Sequence, residues 1–274
     1  MAPEISLAPS VRARLAFSVT RGRTFLARQF TPHPFHITRP YHDPRDPEGM
    51  ATLYLQSSSG GIYRGDNLGL SVSLAPEAQV HLTTQSSTIV HDTRGGETAR
   101  QDVELRVGEG GWLEYCPDPT ILMTGAAHVN RVSAELAAGA TLILSDSQLC
   151  HDPLGMTRPF DRLDSELRII GPQGPLLIDR FSLDGADWLR RTGGYECSGL
   201  TLVAGGGSSV GAAMLEALDA LPGVYAGLSV LADRDIEIIR FLAADGVALS
   251  KALSLSWSAA REALTGRSPP RRPK

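Results

Sequence analysis

A tight turn between two apolar strands is predicted by Leu74-Ala75-Pro76-Glu77-Ala78-Gln79-Val80, because small residues and proline interrupt two runs of apolar residues. The same pattern returns in Val107-Gly108-Glu109-Gly110-Gly111-Trp112-Leu113, and again in Leu136-Ala137-Ala138-Gly139-Ala140-Thr141-Leu142. Aligning the three stretches gives a repeat of about thirty residues, which lies in the range typical of solenoids and stacked β-units. A β-meander with glycine-rich turns would produce a similar pattern. Both architectures are therefore open at this point.

The wider pattern predicts a mainly β chain with late helices. From about residue 18 to residue 181, short runs of alternating or β-branched residues are separated by Gly, Pro, Asp or Ser, as in strands joined by turns. Helices are predicted near 212–221, which is rich in strong helix formers, and near 249–264, which has a single apolar stripe. A strand pair, 227–231 with 236–242, is predicted between the helices.

Length, composition and charge narrow the class of protein. The chain has 274 residues, of which 42% are hydrophobic, and this is enough to bury one sizeable core. We expect residues 1–266 to form a single β-rich domain and the basic, proline-rich residues 267–274 to be a disordered tail. The formal net charge of -4 argues against a nucleic-acid partner, which requires a basic surplus. The amino terminus has no apolar run of the length that a signal peptide or a membrane span needs, so we expect no membrane association and a cytoplasmic location.

Generic motifs predict no catalytic or metal-ligating constellation. The three cysteines lack C-x-x-C spacing, which argues against a disulfide framework and a structural zinc site, and we expect them to be reduced core residues: Cys116, Cys150 and Cys197. The densest histidine cluster, His33 and His36 with His42, lies in a proline-rich stretch and is interpreted as a solvated loop. Isolated carboxylates are interpreted as solvated or turn-forming groups: Asp66, Glu114, Asp118 and Asp146.

One motif keeps an enzymatic alternative open. Residues 207–211 satisfy G-x-S-x-G between a predicted strand and a predicted helix, which is the context of a nucleophile elbow at Ser209. A serine needs an imidazole to take its proton, and no histidine follows His151, so a glycine-rich turn is favoured. Ala212 also stands where a phosphate-binding loop needs lysine. The alternatives are a serine hydrolase at Ser209 or a carbohydrate-active β-helical protein, for which 6% aromatic residues are a poor supply of sugar platforms.

Two polar segments are too long for ordinary turns and end in apolar strands. They are Tyr54-Leu55-Gln56-Ser57-Ser58-Ser59-Gly60-Gly61-Ile62-Tyr63-Arg64-Gly65-Asp66 and Leu82-Thr83-Thr84-Gln85-Ser86-Ser87-Thr88. Together with Leu113-Glu114-Tyr115-Cys116-Pro117-Asp118-Pro119, they resemble the signature stretches of the urease accessory protein family UreD, also called UreH. The resemblance extends over roughly residues 17–266 and includes Trp257 and Arg261 in the last helix. It departs from the family over residues 151–160, where a Gly-Arg-x-x-x-Gly-Glu segment is usual.

The resemblance implies a β-helix, or solenoid of stacked strands, with a small C-terminal α-helical element, and a non-catalytic role. Members of this family join UreF and the GTPase UreG on the urease apoprotein and help to insert nickel into its active site. This chain is therefore expected to act within a hetero-oligomer, with no stably bound cofactor and with nickel in transit. The GTP chemistry would belong to the partner, in keeping with the missing lysine of the phosphate-binding loop.

The resemblance also suggests which residues a nickel ion would meet. A passage for nickel has been proposed for the family, and oxygen-rich, weak ligands suit transit better than a closed cage of histidine and cysteine. Conduction requires binding that is weak enough for release. The residues expected along this route are Asp66, Thr83, Thr84, Gln85 and Asp118.

Overall fold

The computed structural model describes residues 10–155, 158–207 and 210–272. Its strands, in chain order, are β1 (Val11–Thr20), β2 (Arg23–Phe30), β3 (Phe35–Ile37), β4 (Ala51–Ser57), β5 (Asn67–Leu74), β6 (Gln79–Thr84), β7 (Thr88–Val90), β8 (Ala99–Val107), β9 (Trp112–Cys116), β10 (Thr120–Met123), β11 (Ala127–Leu136), β12 (Thr141–His151), β13 (Arg162–Gly171), β14 (Gly174–Asp184), β15 (Cys197–Ala204), β16 (Val224–Leu231) and β17 (Ile236–Ala243). The helices are α1 (Gly185–Arg191), α2 (Val210–Asp219) and α3 (Gly246–Thr265), with a 3-10 turn at Ala232–Arg234.

The strands form a solenoid of two facing sheets. In the first sheet β1, β5, β8, β11 and β13 run parallel, and antiparallel β2 and β14 lie at its two edges. In the second sheet β4, β6, β9 and β12 run parallel, and β15, β17 and β16 extend it in antiparallel order. The chain crosses from the first sheet to the second through each repeated turn. The result is a mainly β solenoid of about 4 turns with a C-terminal helix, which confirms the predicted fold class.

The repeat in the sequence is the repeat of the solenoid. Leu74, Val107 and Leu136, the residues that align the three stretches, are neighbours in the first sheet. The turns after them stack closely, and the Gly108 N–H donates to the Leu74 carbonyl at 3.0 Å. A Cβ on Gly108 would lie 2.7 Å from the carbonyl carbon of Ala75, so the turn requires glycine at this position. The stacked turns therefore exclude the β-meander alternative.

Side chains alternate between the two faces of each strand, and the apolar side chains on the inner faces fill the space between the sheets. Leu53, Leu82, Leu113 and Leu142 are all 0% exposed, and each fully buried leucine contributes about 1.5–3 kcal/mol relative to an exposed one. The opposite face of the second sheet is also apolar where α2 and α3 cover it. Ile143, Val203, Ile239 and Phe241 contact the apolar stripe of α3 there. The second sheet is consequently buried on both faces, which explains its nearly continuous apolar runs.

The late helices lie near the positions expected from the sequence. The Asp245 side chain caps α3 by accepting from Ala248 N at 2.8 Å, and Gly266 ends the helix with φ 70°. Helix α1 is absent from the sequence prediction because its 7 residues are too few to show a period, although its Trp188 is buried. No helix among the described residues is long and apolar enough to cross a membrane.

The described part of the tail, residues 267–272, lies against α3. Ser268 Oγ donates to Glu262 Oε2 at 2.6 Å, and Pro270 is buried. The Arg272 side chain is 7% exposed and pairs with Asp46. The tail therefore packs on the same side of the second sheet as the last helix.

Candidate functional site

The second sheet is interrupted at Pro117-Asp118-Pro119. Strand β9 ends just before these residues and β10 begins just after them. Pairing of β12 with β9 stops at Leu144, and pairing with β10 resumes at Gln148. Proline has no N–H to donate, so Pro117 and Pro119 cannot continue the ladder. The interruption therefore leaves a break in the sheet opposite Ser145, and Asp118 lies in it.

Two cavities meet at this break. The inner cavity, of about 310 Å³, lies between the sheets, and the outer cavity, of about 470 Å³, lies between the second sheet, α3 and the tail. Asp118, Pro117 and Ser145 line both cavities. The Asp118 N–H donates to Thr84 Oγ1 at 2.8 Å, which fixes the loop across the end of β6. Asp118 and Ser145 thus lie between the outer cavity and the inner one.

Part of the lining of the inner cavity is polar. It includes Ser59, Thr84, Gln101, Asn130 and Asp146. Asn130 Nδ2 donates to the two carboxylate oxygens of Asp146 at 3.4 and 3.3 Å. Desolvation raises the pKa of Asp146 to about 6, against the lowering effect of hydrogen bonds from Gln148 and Ser147. Near neutral pH this carboxylate is therefore mostly ionised although burial opposes its ionisation.

A third cavity continues the series. It has a volume of about 350 Å³, and Asp146 lines it as well as the inner cavity. Asp179 and Arg240 lie on its wall and form an ion pair of 2.8 Å between the two sheets. Three cavities therefore follow one another, with carboxylates at both junctions. Within residues 10–155, 158–207 and 210–272, no three His, Cys, Asp or Glu side chains are grouped closely enough to hold a metal ion.

A buried cluster of charges fixes α3 to the wall of the outer cavity. Arg261 is 1% exposed and donates to Glu114 through Nε at 2.7 Å and through Nη2. It also donates to Asp46, which precedes β4. The Trp257 Nε1–H donates to Glu114 Oε2 at 2.8 Å. One arginine of the last helix thereby compensates two carboxylates that are fully withdrawn from water, as buried charges require.

The protonation of this cluster follows from its contacts. Burial opposes the ionisation of Glu114, but its hydrogen bond with His81 and the charge of Arg261 outweigh burial and hold the pKa of Glu114 at about 2. Burial lowers the pKa of His81 to about 4, although Glu114 opposes this. A carboxylate can only accept, so the neutral His81 ring donates its Nδ1–H to Glu114 at 2.7 Å. The cluster therefore fixes α3 to the wall of the outer cavity, and the neutral His81 has no lone pair on Nδ1 that could bind a ligand.

Comparison with known proteins assigns the chain to a family. A family model described as UreD urease accessory protein matches residues 10–274. Urease accessory protein UreD 1 of Methylorubrum populi is 41% identical, over 96% of this chain and 92% of the relative. UreD 1 of Methylorubrum extorquens is 38% identical over 100% and 95%, and UreD 1 of Pseudomonas syringae pv. tomato is 37% identical over 94% and 93%. The chain belongs to the UreD family.

This membership confirms the resemblance inferred from the serine–glycine and threonine–glutamine segments, and the structure shows what those segments build. In this UreD chain, Thr84 and Asp118 line the inner cavity, and Thr83 and Asp118 line the outer one. Thr83 Oγ1 also donates to the Cys116 carbonyl at 2.6 Å, next to the break. Three of the five residues expected along a metal route are thereby brought together.

The other two residues lie apart from the break. Gln85 Oε1 accepts from Gln56 Nε2 at 3.0 Å, just past the end of β6. Asp66 lies in a surface turn, where its carboxylate accepts from Tyr63 N at 2.8 Å and its carbonyl accepts from Arg100 N at 2.8 Å. Asp66 lines none of the three cavities described above. In this UreD chain Asp66 closes a turn and is hydrogen-bonded to the next coil of the solenoid, and its place on a metal route stays a prediction.

The sequence analysis did not identify the positions of Glu114, Asp146 and Arg261 at this site. The interpretation of Glu114 and Asp146 as solvated or turn-forming carboxylates is wrong, because both lie on strands of the second sheet, Glu114 at 0% exposure. A signal was available for Glu114, since it sits between Leu113 and Tyr115 in an apolar strand. Arg261 likewise falls four residues after Trp257 on the apolar stripe. Ser209, the candidate nucleophile, lies outside the described residues.

Proposed function

We propose that this chain is a non-catalytic urease maturation factor that acts with UreF, UreG and the urease apoprotein, and that nickel passes through it on the way to the urease active site. The observation that carries the proposal is the break in the second sheet, where Asp118 and Ser145 line both the outer and the inner cavity. The names of the UreD relatives support the link to urease. The Ni²⁺ ion is the cargo of the protein and leaves it again.

The oxygen ligands along the proposed passage suit a metal ion that binds only transiently. Hydroxyl and amide oxygens of Thr83, Thr84 and Gln101 can replace part of the hydration shell of a divalent cation, and they bind it weakly. The carboxylates of Asp118 and Asp146 supply the negative charge at the two junctions. Passage through a pore requires several weak sites rather than one strong one. The route we propose therefore runs from the outer cavity past Asp118 to Asp146.

The proposal is tested by urease activation in cells that carry the cognate urease genes. We expect Asp118→Ala to lower both urease activity and the nickel content of purified urease at least tenfold, because the variant removes the charge at the break. Asp66→Ala is the matched control. It removes a carboxylate from the surface turn, outside the three cavities, and we expect it to keep activity within twofold of wild type.

Three measurements separate transit from folding and assembly. The amount of folded chain, its co-purification with UreF, and the nickel content of urease are compared for both variants. Loss of nickel at unchanged abundance and UreF contact supports the route. Full activation by Asp118→Ala, or equal loss with Asp66→Ala, would refute the route past Asp118. Full activation in cells that lack the whole chain would refute the maturation role itself.

A further inference from the structure

Residues 269–272 form one wall of the outer cavity. Pro269, Pro270, Arg271 and Arg272 line it on one side, and the strand residues Thr83 and Cys116 line it on the other. The tail reaches this position directly from the C-cap of α3 at Gly266. The wall is therefore made by the last described residues of the chain and is independent of the sheet.

Arg272 holds this wall in place. Its side chain is 7% exposed, and its Nη2 donates to Asp46 Oδ1 at 2.8 Å. Its Cζ lies 5.6 Å from the centroid of the Trp257 ring, within the range of a cation–π contact. An acidic oxygen and an aromatic face together are the chemistry that recognises a guanidinium group. Asp46 and Trp257 thus form a socket for arginine.

Arg272 forms fewer hydrogen bonds in this socket than the adjacent Arg261 forms with its own partners. The Asp46 carboxylate also accepts from Arg261 and, at 3.2 Å, from Thr52. Among the described residues, the buried Nε of Arg272 has no hydrogen-bond partner. Arg261, in contrast, donates to both Glu114 and Asp46. The contact of Arg272 can consequently open while α3 stays fixed by Arg261.

We propose that Asp46 and Trp257 form a guanidinium-binding site, which the chain's own Arg272 fills, and that Arg272 thereby holds residues 269–272 as a removable cover over the outer cavity. When Arg272 leaves the socket, the cover opens and the cavity wall at Cys116 and Asp118, which is only partly exposed with the tail in place, becomes more accessible from solvent. The covering tail also brings positive charge to the outer cavity. This inference goes beyond the proposed function and holds whether or not a metal ion uses the cavity.

Cys116 reports on the cover because it lines the outer cavity. In a full-length Cys150→Ala/Cys197→Ala background, the rate of alkylation by N-ethylmaleimide is measured at one fixed pH without metal. We expect Arg272→Ala to raise this rate at least tenfold. The matched control is Arg271→Ala, which removes the same charge from an exposed neighbour in the same wall, and we expect its rate to stay within twofold of the parent.

Two further variants keep the test decisive. Arg272→Lys retains the charge without the planar guanidinium, and we expect a rate at least threefold above the parent. In a Cys116→Ala/Cys150→Ala background, the fully buried Cys197 reports on general loosening, and Arg272→Ala should leave its rate unchanged. An unchanged Cys116 rate in Arg272→Ala, equal acceleration by Arg271→Ala, a parental rate in Arg272→Lys, or acceleration of Cys197 would each overturn the proposal.

Discussion

Replacing Arg261 by methionine should destabilise the chain strongly, because it leaves the buried Glu114 without its cation and the buried Asp46 with Arg272 alone. Glu114 has a pKa of about 2 in the folded chain against its ordinary value of 4.5, so its contacts favour the ionised form by about 3 kcal/mol at neutral pH. Removing one partner from a buried ion pair costs about 3–5 kcal/mol. We therefore expect Arg261→Met to lower the free energy of unfolding by about 3–5 kcal/mol at pH 7.

The measurement is urea unfolding followed by circular dichroism, with Arg106→Met as a matched control. Arg106 also pairs with a glutamate, at 3.1 Å from Glu135, but the two side chains are 58% and 54% exposed. Exposed pairs contribute less than about 1 kcal/mol. If Arg261→Met costs no more than Arg106→Met, the argument that buried charge fixes α3 is wrong.

The pH dependence supplies a second check on the same reasoning. The pKa of Glu114 is lowered in the folded state, so the stability that its ionisation contributes is present above pH 4.5 and is lost as the pH falls towards 2. Arg261→Met removes much of what lowers this pKa. The difference in unfolding free energy between wild type and variant should therefore shrink between pH 4.5 and pH 2. A constant difference over that interval would contradict the assignment.

Two other substitutions test the inner cavity and the stacked turns. Burial raises the pKa of Asp146 from 3.8 to about 6, so the ionisation of Asp146 opposes folding at pH values above these two. We therefore expect Asp146→Asn to stabilise the chain by about 1–2 kcal/mol at pH 7.5 and not at pH 4, as measured by urea unfolding. Lower stability of this variant at pH 7.5 would contradict the argument. Gly108→Ala should cost about 1–3 kcal/mol in the same assay, because the added Cβ meets the Ala75 backbone at 2.7 Å. Gly227→Ala, where a Cβ meets nothing within 4 Å, should cost less than about 1 kcal/mol.

Much of the fold was predictable because its information is local in the sequence. The turns after Leu74, Val107 and Leu136 repeat since each coil of a solenoid packs mainly on its neighbours. The late helices were visible because their composition and apolar stripe need no partner to be recognised. Choosing the solenoid over the meander required the resemblance to UreD, because a turn shows where a chain reverses and not which strand it joins.

The site was less predictable because its contacts connect distant parts of the chain. Arg261 is separated from Glu114 by 147 residues and from Asp46 by 215. A single sequence does not indicate which of several distant carboxylates a buried arginine will meet. Asp118 was identified through the UreD motif, whereas Asp146 has no motif of its own and gains its importance only from the cavities on either side of it.

The position of Arg261 in the chain has a consequence for synthesis. A ribosome makes the coils of the solenoid in order, and each can stack on the one before it. Asp46 and Glu114 are made early, yet the cation that compensates both belongs to the last helix. The nascent protein therefore carries two uncompensated acidic side chains until translation is nearly complete. A chain that ended before residue 261 would contain both carboxylates and lack the arginine that compensates them.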